Sequence, residues 1–411
     1  MHPSEPLNRA LQEHHPAAHA CLTPLGRRMF FPMGIPAQAA EAKTAQVNAT
    51  IGQLTDGLGA AMPLPAIAKG IQGVSANDGT LYAPQGGRPD LRMAWRARLE
   101  AVGGGPMSRP FCTVGLTHGL SLLGDLFVDA DTDVLLPDPG WGNYGHIFDI
   151  KNAGRIVRYP VFEDGRFCED AIAKALATVR TTAVVVLNFP GNPTGYTPTP
   201  DELEPWLDAL RTSPKPIVVI CDDAYAGFVY EDGCAQRSPF HALNDVDPSR
   251  ALIAKVDGAT KELSFFGGRV GFVTFSADGP AADALEHKIK GLARANVSTA
   301  PSVAQAVVLD ALNDPDLARQ QRELLAHCRE RYAVLRRCID ASPLECSPFN
   351  SGFFTLIRVP GDPHALRKRL LDRGFGIVAL PQHGAIRIAF SSTRSDDIPA
   401  LIDAIAEEVD A

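Results

Sequence analysis

The sequence predicts an α/β protein whose large, mostly parallel sheet is followed by a smaller α+β unit. Three observations point to it. Short apolar runs alternate with amphipathic helical stretches through the middle of the chain, as parallel strands and their crossover helices do. After about residue 341 that rhythm changes to closely spaced strands between two helices. The chain has 411 residues, 45% apolar and 21% charged, enough for two globular units and a large core.

Taken in order, the expected strands of the large unit are 133–136 (DVLL), 155–159 (RIVRY), 183–188 (AVVVLN), 216–221 (PIVVIC), 251–256 and 270–275. Strand-like FCTVGL runs into THGLSLLGDLF, a helix start. Helical periodicity is clearest over 200–210, 282–293, 303–312 and 316–341. Beyond these, strands are expected at 353–359, 376–379 and 385–390, with helices at 363–373 and 396–409. The large domain is placed at 63–310 and the small one at 311–411. Residues 1–62 form an arm and part of the small domain.

A net charge of −8 argues against nucleic acid as a main partner, because phosphate backbones select basic surfaces. No apolar run reaches the roughly 18 residues of a membrane span. The first twenty residues lack the basic start and apolar core of a secretory signal. Eight scattered cysteines without paired spacing read as buried thiols of a cytoplasmic protein, not as a disulfide or metal framework.

In open α/β sheets, ligands collect beyond the carboxyl ends of the strands. AVVVLN leads to FPGNPTG, where Pro193 restricts the preceding Asn192 to extended conformations; a plain Pro-Gly turn is the other reading. PIVVIC delivers Asp222 and Tyr225 in DDAYAGF, the aspartate being equally a helix cap or a ligand. The strand near 251 leads to Lys261, and Arg269 follows eight positions later between glycines, in DGATKELSFFGGRVG. Two cations with so little acid around them suit an anion that is not protein, or a solvated turn. Arg387 stands in the apolar run AIRIAF, where a buried charge needs a partner.

This ordered set resembles the fold-type I pyridoxal-phosphate enzymes, specifically class I aminotransferases of the aspartate/aromatic branch, over roughly residues 45–400. NPTG (192–195), DDAYAGF (222–228) and the lysine–arginine pair carry the resemblance jointly. LPDPGWGNYGHIF (136–148) and GQLTDGLGAAMPLP (52–65) are also close to that branch. The resemblance implies a mostly parallel seven-stranded sheet flanked by helices, and pyridoxal 5′-phosphate as cofactor. It makes Lys261 the Schiff-base lysine and general base, and Arg269 a phosphate partner. Asp222 faces the ring nitrogen, Asn192 and Tyr225 the 3′ oxygen, and Trp141 the ring face. Gly119, Leu120 and Ser121 are the implied phosphate cradle, with Tyr82 reaching the phosphate of a neighbouring subunit in a homodimer. Arg387 takes the substrate α-carboxylate with Asn192 and the backbone at Gly52. Arg294 stands where dicarboxylate-using relatives carry an arginine contributed by the other subunit, but a surface position is equally open to it.

Two positions depart from the family pattern. Gly258 stands where a phosphate-touching hydroxyl is frequent, and Tyr144 where a histidine backs the ring-nitrogen aspartate. His118 in the THG turn is unusual and is read as packing or as touching ligand.

The reaction expected is ping-pong transfer of an amino group from an L-amino acid (aspartate, glutamate or aromatic) to a 2-oxo acid, without a metal. The alternatives are β-elimination, decarboxylation or oxidation on the same cofactor, and more distantly a non-enzymatic cofactor-binding regulator. GLGAAM (57–62) misses the third glycine of the dinucleotide fingerprint, which counts against a nicotinamide enzyme.

Overall fold

The computed structural model describes residues 2–32 and 34–410. Seven strands form one sheet: β1 (Phe111–Val114), β2 (Asp133–Asp138), β3 (Arg155–Pro160), β4 (Ala183–Leu187), β5 (Ile217–Asp222), β6 (Ala251–Gly258) and β7 (Val270–Phe275). Their spatial order is β1-β7-β6-β5-β4-β2-β3. Every pair from β6 to β3 is parallel, while β7 runs antiparallel to both β6 and β1. The mostly parallel seven-stranded α/β fold expected from sequence is therefore present.

Alternation along the strands feeds two cores, one on each face. On β4, Val185 and Leu187 join one apolar cluster while Val184 and Val186 join the other. Both faces being covered by helices, these runs are continuously apolar, which is why they were legible as strands.

A three-stranded antiparallel sheet follows, made of β8 (Phe354–Arg358), β9 (Val378–Leu380) and β10 (Ala385–Ala389) in the order β8-β10-β9. The expected strand at 376–379 is instead two short pieces. Phe375–Gly376 pairs in parallel with Val47–Asn48, and β9 joins the small sheet. The N-terminal residues form four helices: α1 (Glu5–His14), α2 (Pro16–Cys21), α3 (Pro24–Arg28) and α4 (Ile35–Glu41). Two more helices position the site. They are α5 (Pro89–Val102) and α6 (Gly115–Phe127), the latter leaving β1 without a spacer. No helix among the described residues is long and apolar enough to cross a membrane.

Candidate active site

Strand ends deliver the central groups. Asp222 is the last residue of β5, buried, and its Oδ2 accepts a 2.5 Å hydrogen bond from the Tyr144 hydroxyl. Burial pushes its carboxyl up to about 6, against the pull of Tyr144 and of Lys261. Lys261 sits in a four-residue helix (Ala259–Glu262) directly after β6. The chain enters that helix through Gly258, where a Cβ would come within 2.5 Å of the Val270 carbonyl oxygen. This close approach leaves no room for a side chain at 258, the position where the sequence resemblance implied a hydroxyl. The Lys261 Nζ lies 4.9 Å from the centre of the Tyr225 ring. Burial lowers its amine from the ordinary 10.5 to about 8; Asp222 opposes this and Arg269 adds to it.

Arg269 adopts a left-handed backbone (φ 53°), unusual for a residue with a side chain. That conformation lays its guanidinium across the N-terminus of α6: a Cβ on Gly115 would lie 2.4 Å from Nη2. Gly115 itself has φ 73°. Among the described residues no carboxylate is within ion-pair distance of Arg269, leaving a guanidinium and a helix N-terminus facing the same spot. Both attract an anion.

The helix boundary bears on the expected cradle at Gly119, Leu120 and Ser121, of which Leu120 lines a cavity together with Asp222 and Lys261. Because α6 starts at Gly115, the backbone N–H groups without an intrahelical acceptor are those of Gly115, Leu116 and Thr117. Gly119–Ser121 lie a turn further on. The Ser121 hydroxyl accepts from Lys151 Nζ at 2.8 Å, and that lysine also binds Asp125. His118 accepts the Val114 N–H on Nδ1 at 3.1 Å and so caps the same helix start.

Asn192 links two parts of the site. Its amide donates towards the Tyr225 hydroxyl at 3.4 Å and accepts from Arg387 Nη1 at 3.3 Å. Arg387 is buried in β10 and donates from Nη2 to the Thr50 carbonyl at 2.8 Å, with its guanidinium 4.2 Å from the centre of the Phe354 ring. Its Nε is buried without a partner, and burial lowers the group to about 10. An unsatisfied buried guanidinium N–H is a site made for an anion. Gly52 lies against the same ring, where a Cβ would be 2.3 Å from Phe354.

Trp141, Asn192, Tyr225 and Lys261 line both a narrow cavity of about 90 Å³ and a broad one of about 980 Å³. The narrow one reaches Asp222, Leu116 and Thr117; the broad one reaches Gly52 and Arg387. Within one chain the fold thus brings together Lys261, Asp222, Tyr225, Asn192, Trp141, Gly52 and Arg387. Tyr82 is 91% exposed, and Arg294, on the helix Gly279–Asn296, is exposed with Nη1 donating to Ser298 Oγ; neither lines these cavities. Among the described residues no group of three or more His, Cys, Asp or Glu side chains could hold a metal ion.

Comparison with known proteins gives one consistent result. The family described as aminotransferase class I and II matches residues 44–405. An aspartate aminotransferase of Bacillus subtilis is 27% identical, over 62% of each chain. The aspartate/prephenate aminotransferase of Thermus thermophilus is 26% identical over 77% of this chain and 80% of its own. Among solved structures, an aminotransferase of Anaerococcus prevotii superposes with a TM-score of 0.83 at 22% identity, covering 93% of this chain and 97% of that one. The Thermus thermophilus aspartate aminotransferase with maleate gives 0.78 at 22% identity, covering 94% and 99%.

Proposed function

The chain belongs to the class I and II aminotransferase family, and on that premise we propose that it is a pyridoxal-phosphate-dependent transaminase moving an amino group between an L-amino acid and a 2-oxo acid. Pyridoxal phosphate supplies an aldehyde that condenses with amines and a protonated ring that accepts an electron pair. The residues present fit that group: an amine held near neutrality, a buried carboxylate, and an anion spot between a helix N-terminus and Arg269.

Lys261 would hold the aldehyde in the resting protein and, once the substrate amine has displaced it, its free Nζ would take the Cα proton; an amine with a pKa of about 8 suits both roles. Asp222, oriented by Tyr144, would face the ring nitrogen and favour its protonation. Asn192 and Tyr225 would serve the 3′ oxygen, and Trp141 the ring face. Arg269 and the N–H groups of Gly115, Leu116 and Thr117 would hold the phosphate. Arg387, with Asn192 and the backbone at Gly52, holds the substrate α-carboxylate. The single observation that carries this reading is the Arg387 Nε, buried and unpaired across one cavity from Lys261.

The large unit is read as 63–310 and the small one as 311–411, with residues 1–62 tied to the latter; pairing of Val47–Asn48 with Phe375–Gly376 supports that. Exposed Leu81 and Tyr82, 63% and 91%, support a homodimer in which Tyr82 reaches the partner's phosphate site. Eight cysteines without a disulfide support a cytoplasmic setting.

The test uses purified protein loaded with the cofactor and mixed with one amino acid. Transamination gives 2-oxo acid once per site and stops until an acceptor 2-oxo acid is added. Lys261→Ala lowers the rate by about 10⁴-fold or more. Continuous release of ammonia, carbon dioxide or peroxide from the amino acid alone would instead establish elimination, decarboxylation or oxidation.

A further inference from the structure

Beyond Arg387 the broad cavity continues along a wall that the family match does not include, since it begins at residue 44. Phe30 and Pro32 come from the segment joining α3 to α4, Ile35 opens α4, and Ile51, Leu380 and Pro381 face the same cavity. This segment is pinned at both ends. Arg28 donates from Nη2 to the Lys151 carbonyl at 3.1 Å and from Nε to that of Ile150, at the end of the π-helical turn His146–Lys151. The Phe30 ring meets His146 edge-on at 5.3 Å. At the other end, the buried Gln38 amide satisfies both the N–H and the carbonyl of Ala379 in β9, at 2.7 and 3.1 Å.

Charge along this wall is as informative as shape. The only lysine and arginine among the described lining residues are Lys261 and Arg387, both already committed to the reaction centre. His383 is matched to Asp138 at 3.5 Å, and burial lowers its pKa. His364 is exposed at the rim, and the exposed Asp149 adds a negative charge there. A second substrate carboxylate would be desolvated here without a fixed cation from this chain, which is costly. A large apolar side chain would instead bury its surface on Phe30, Ile35 and Ile51.

Resting on the transaminase reading, we propose that the amino donor is an amino acid with a large uncharged side chain, aromatic or branched, selected by the N-terminal residues Phe30, Pro32 and Ile35, and not a dicarboxylate.

The test measures kcat/KM of the cofactor-loaded protein for phenylalanine, leucine, alanine, aspartate, glutamate and lysine. Calorimetric binding of 3-phenylpropanoate and succinate, which cannot react, accompanies it. Phenylalanine or leucine should exceed aspartate by tenfold or more, and 3-phenylpropanoate should bind more tightly than succinate. Phe30→Ala should lower the phenylalanine-to-alanine ratio about tenfold, and Ile35→Ala should lower it independently if the first variant folds poorly. Preference for aspartate or glutamate, with that turnover collapsing on Arg294→Ala, overturns the proposal. So does preference for lysine, or a ratio that neither variant moves. If no donor is transaminated the proposed reaction fails by itself, and the two non-reacting acids still decide the side-chain preference.

Discussion

Two lysines six residues apart show how this sheet makes one amine reactive and another inert. Lys261 follows β6 on the cofactor side, whereas Lys255 lies within β6 and points to the opposite face. Consecutive Asp222 and Asp223, at the end of β5, serve the two differently: Asp223 pairs with Lys255, while Asp222 acts on Lys261 only through its charge. The back lysine is surrounded by acid. Its Nζ pairs with Asp223 and lies 3.4 Å from Asp257, which also accepts from the Trp95 indole of α5 at 3.0 Å. Burial works against its charge, but the two carboxylates more than offset that and raise its pKa. The front lysine has no carboxylate within ion-pair distance among the described residues and has Arg269 as a cationic neighbour. Lys255 is buried and Lys261 half-buried, and their compensation is opposite. Two carboxylates outweigh desolvation at Lys255, whereas nothing outweighs it at Lys261.

The largest effect expected from this contrast is on the back face. Lys255→Met leaves Asp223 and Asp257 buried without their cation and should destabilise the protein by about 3–5 kcal/mol. Urea unfolding monitored by circular dichroism reads this directly. A variant as stable as the parent would break the comparison, because Lys255 would then have no structural role.

The front lysine should behave in the reverse sense. In the cofactor-free protein its depressed pKa makes the folded state release a proton that the unfolded chain keeps between about pH 8 and 10.5. Below pH 8 both states are protonated and the burial cost, about 3 kcal/mol, is fully present. Lys261→Met should therefore stabilise the cofactor-free protein by about that amount at pH 7. The advantage should shrink as pH rises from 8 to 10.5, because the unfolded parent binds more protons there and parental stability climbs. Unfolding both proteins across that range checks the sign; a variant no more stable than the parent at pH 7 refutes it. The same lysine would thus trade stability for reactivity.

How much of this was readable beforehand follows the same geometry. Asp222, Asn192, Tyr225 and Lys261 stand at or just beyond strand ends, and runs such as AVVVLN are continuously apolar, so position along the chain gave position in space. Arg387 was legible as a charge in an apolar strand. The helix was expected to open at THGLSLL, whereas α6 begins at Gly115, so its free N–H groups stand one turn before the Gly119–Ser121 expected from sequence. The usable signal was Gly115 itself, directly behind a strand and in a left-handed conformation. Tyr144 was noticed as an oddity in place of a histidine, and its bond to Asp222 supplies the reason. The Lys255–Asp223–Asp257 group went unread, since pairing across strands depends on register, which a single sequence specifies poorly. The N-terminal helices were read as an arm and part of the small domain; their bonds to Ile150, Lys151 and Ala379, more than 120 and 340 positions away, leave no local signal.

The finest test concerns the hydroxyl donor on the front carboxylate. Tyr144 holds Asp222 ionised by donating to Oδ2, and burial alone would push that carboxyl above its value of about 6. Removing the phenol in Tyr144→Phe should raise it further, by about one pH unit, equivalent to about 1.4 kcal/mol. If Asp222 faces the ring nitrogen as proposed, its protonation removes that contact, and cofactor affinity should then fail at a pH about one unit higher than in the parent. Equilibrium titration of the cofactor between pH 5 and 8 measures this. Trp95→Phe supplies the matching control on the back face: it removes the indole donor to Asp257 and should lower stability without moving that acid limb. If both variants move the limb equally, or neither does, the two faces of the sheet are not electrostatically separate and the contrast between the lysines loses its basis.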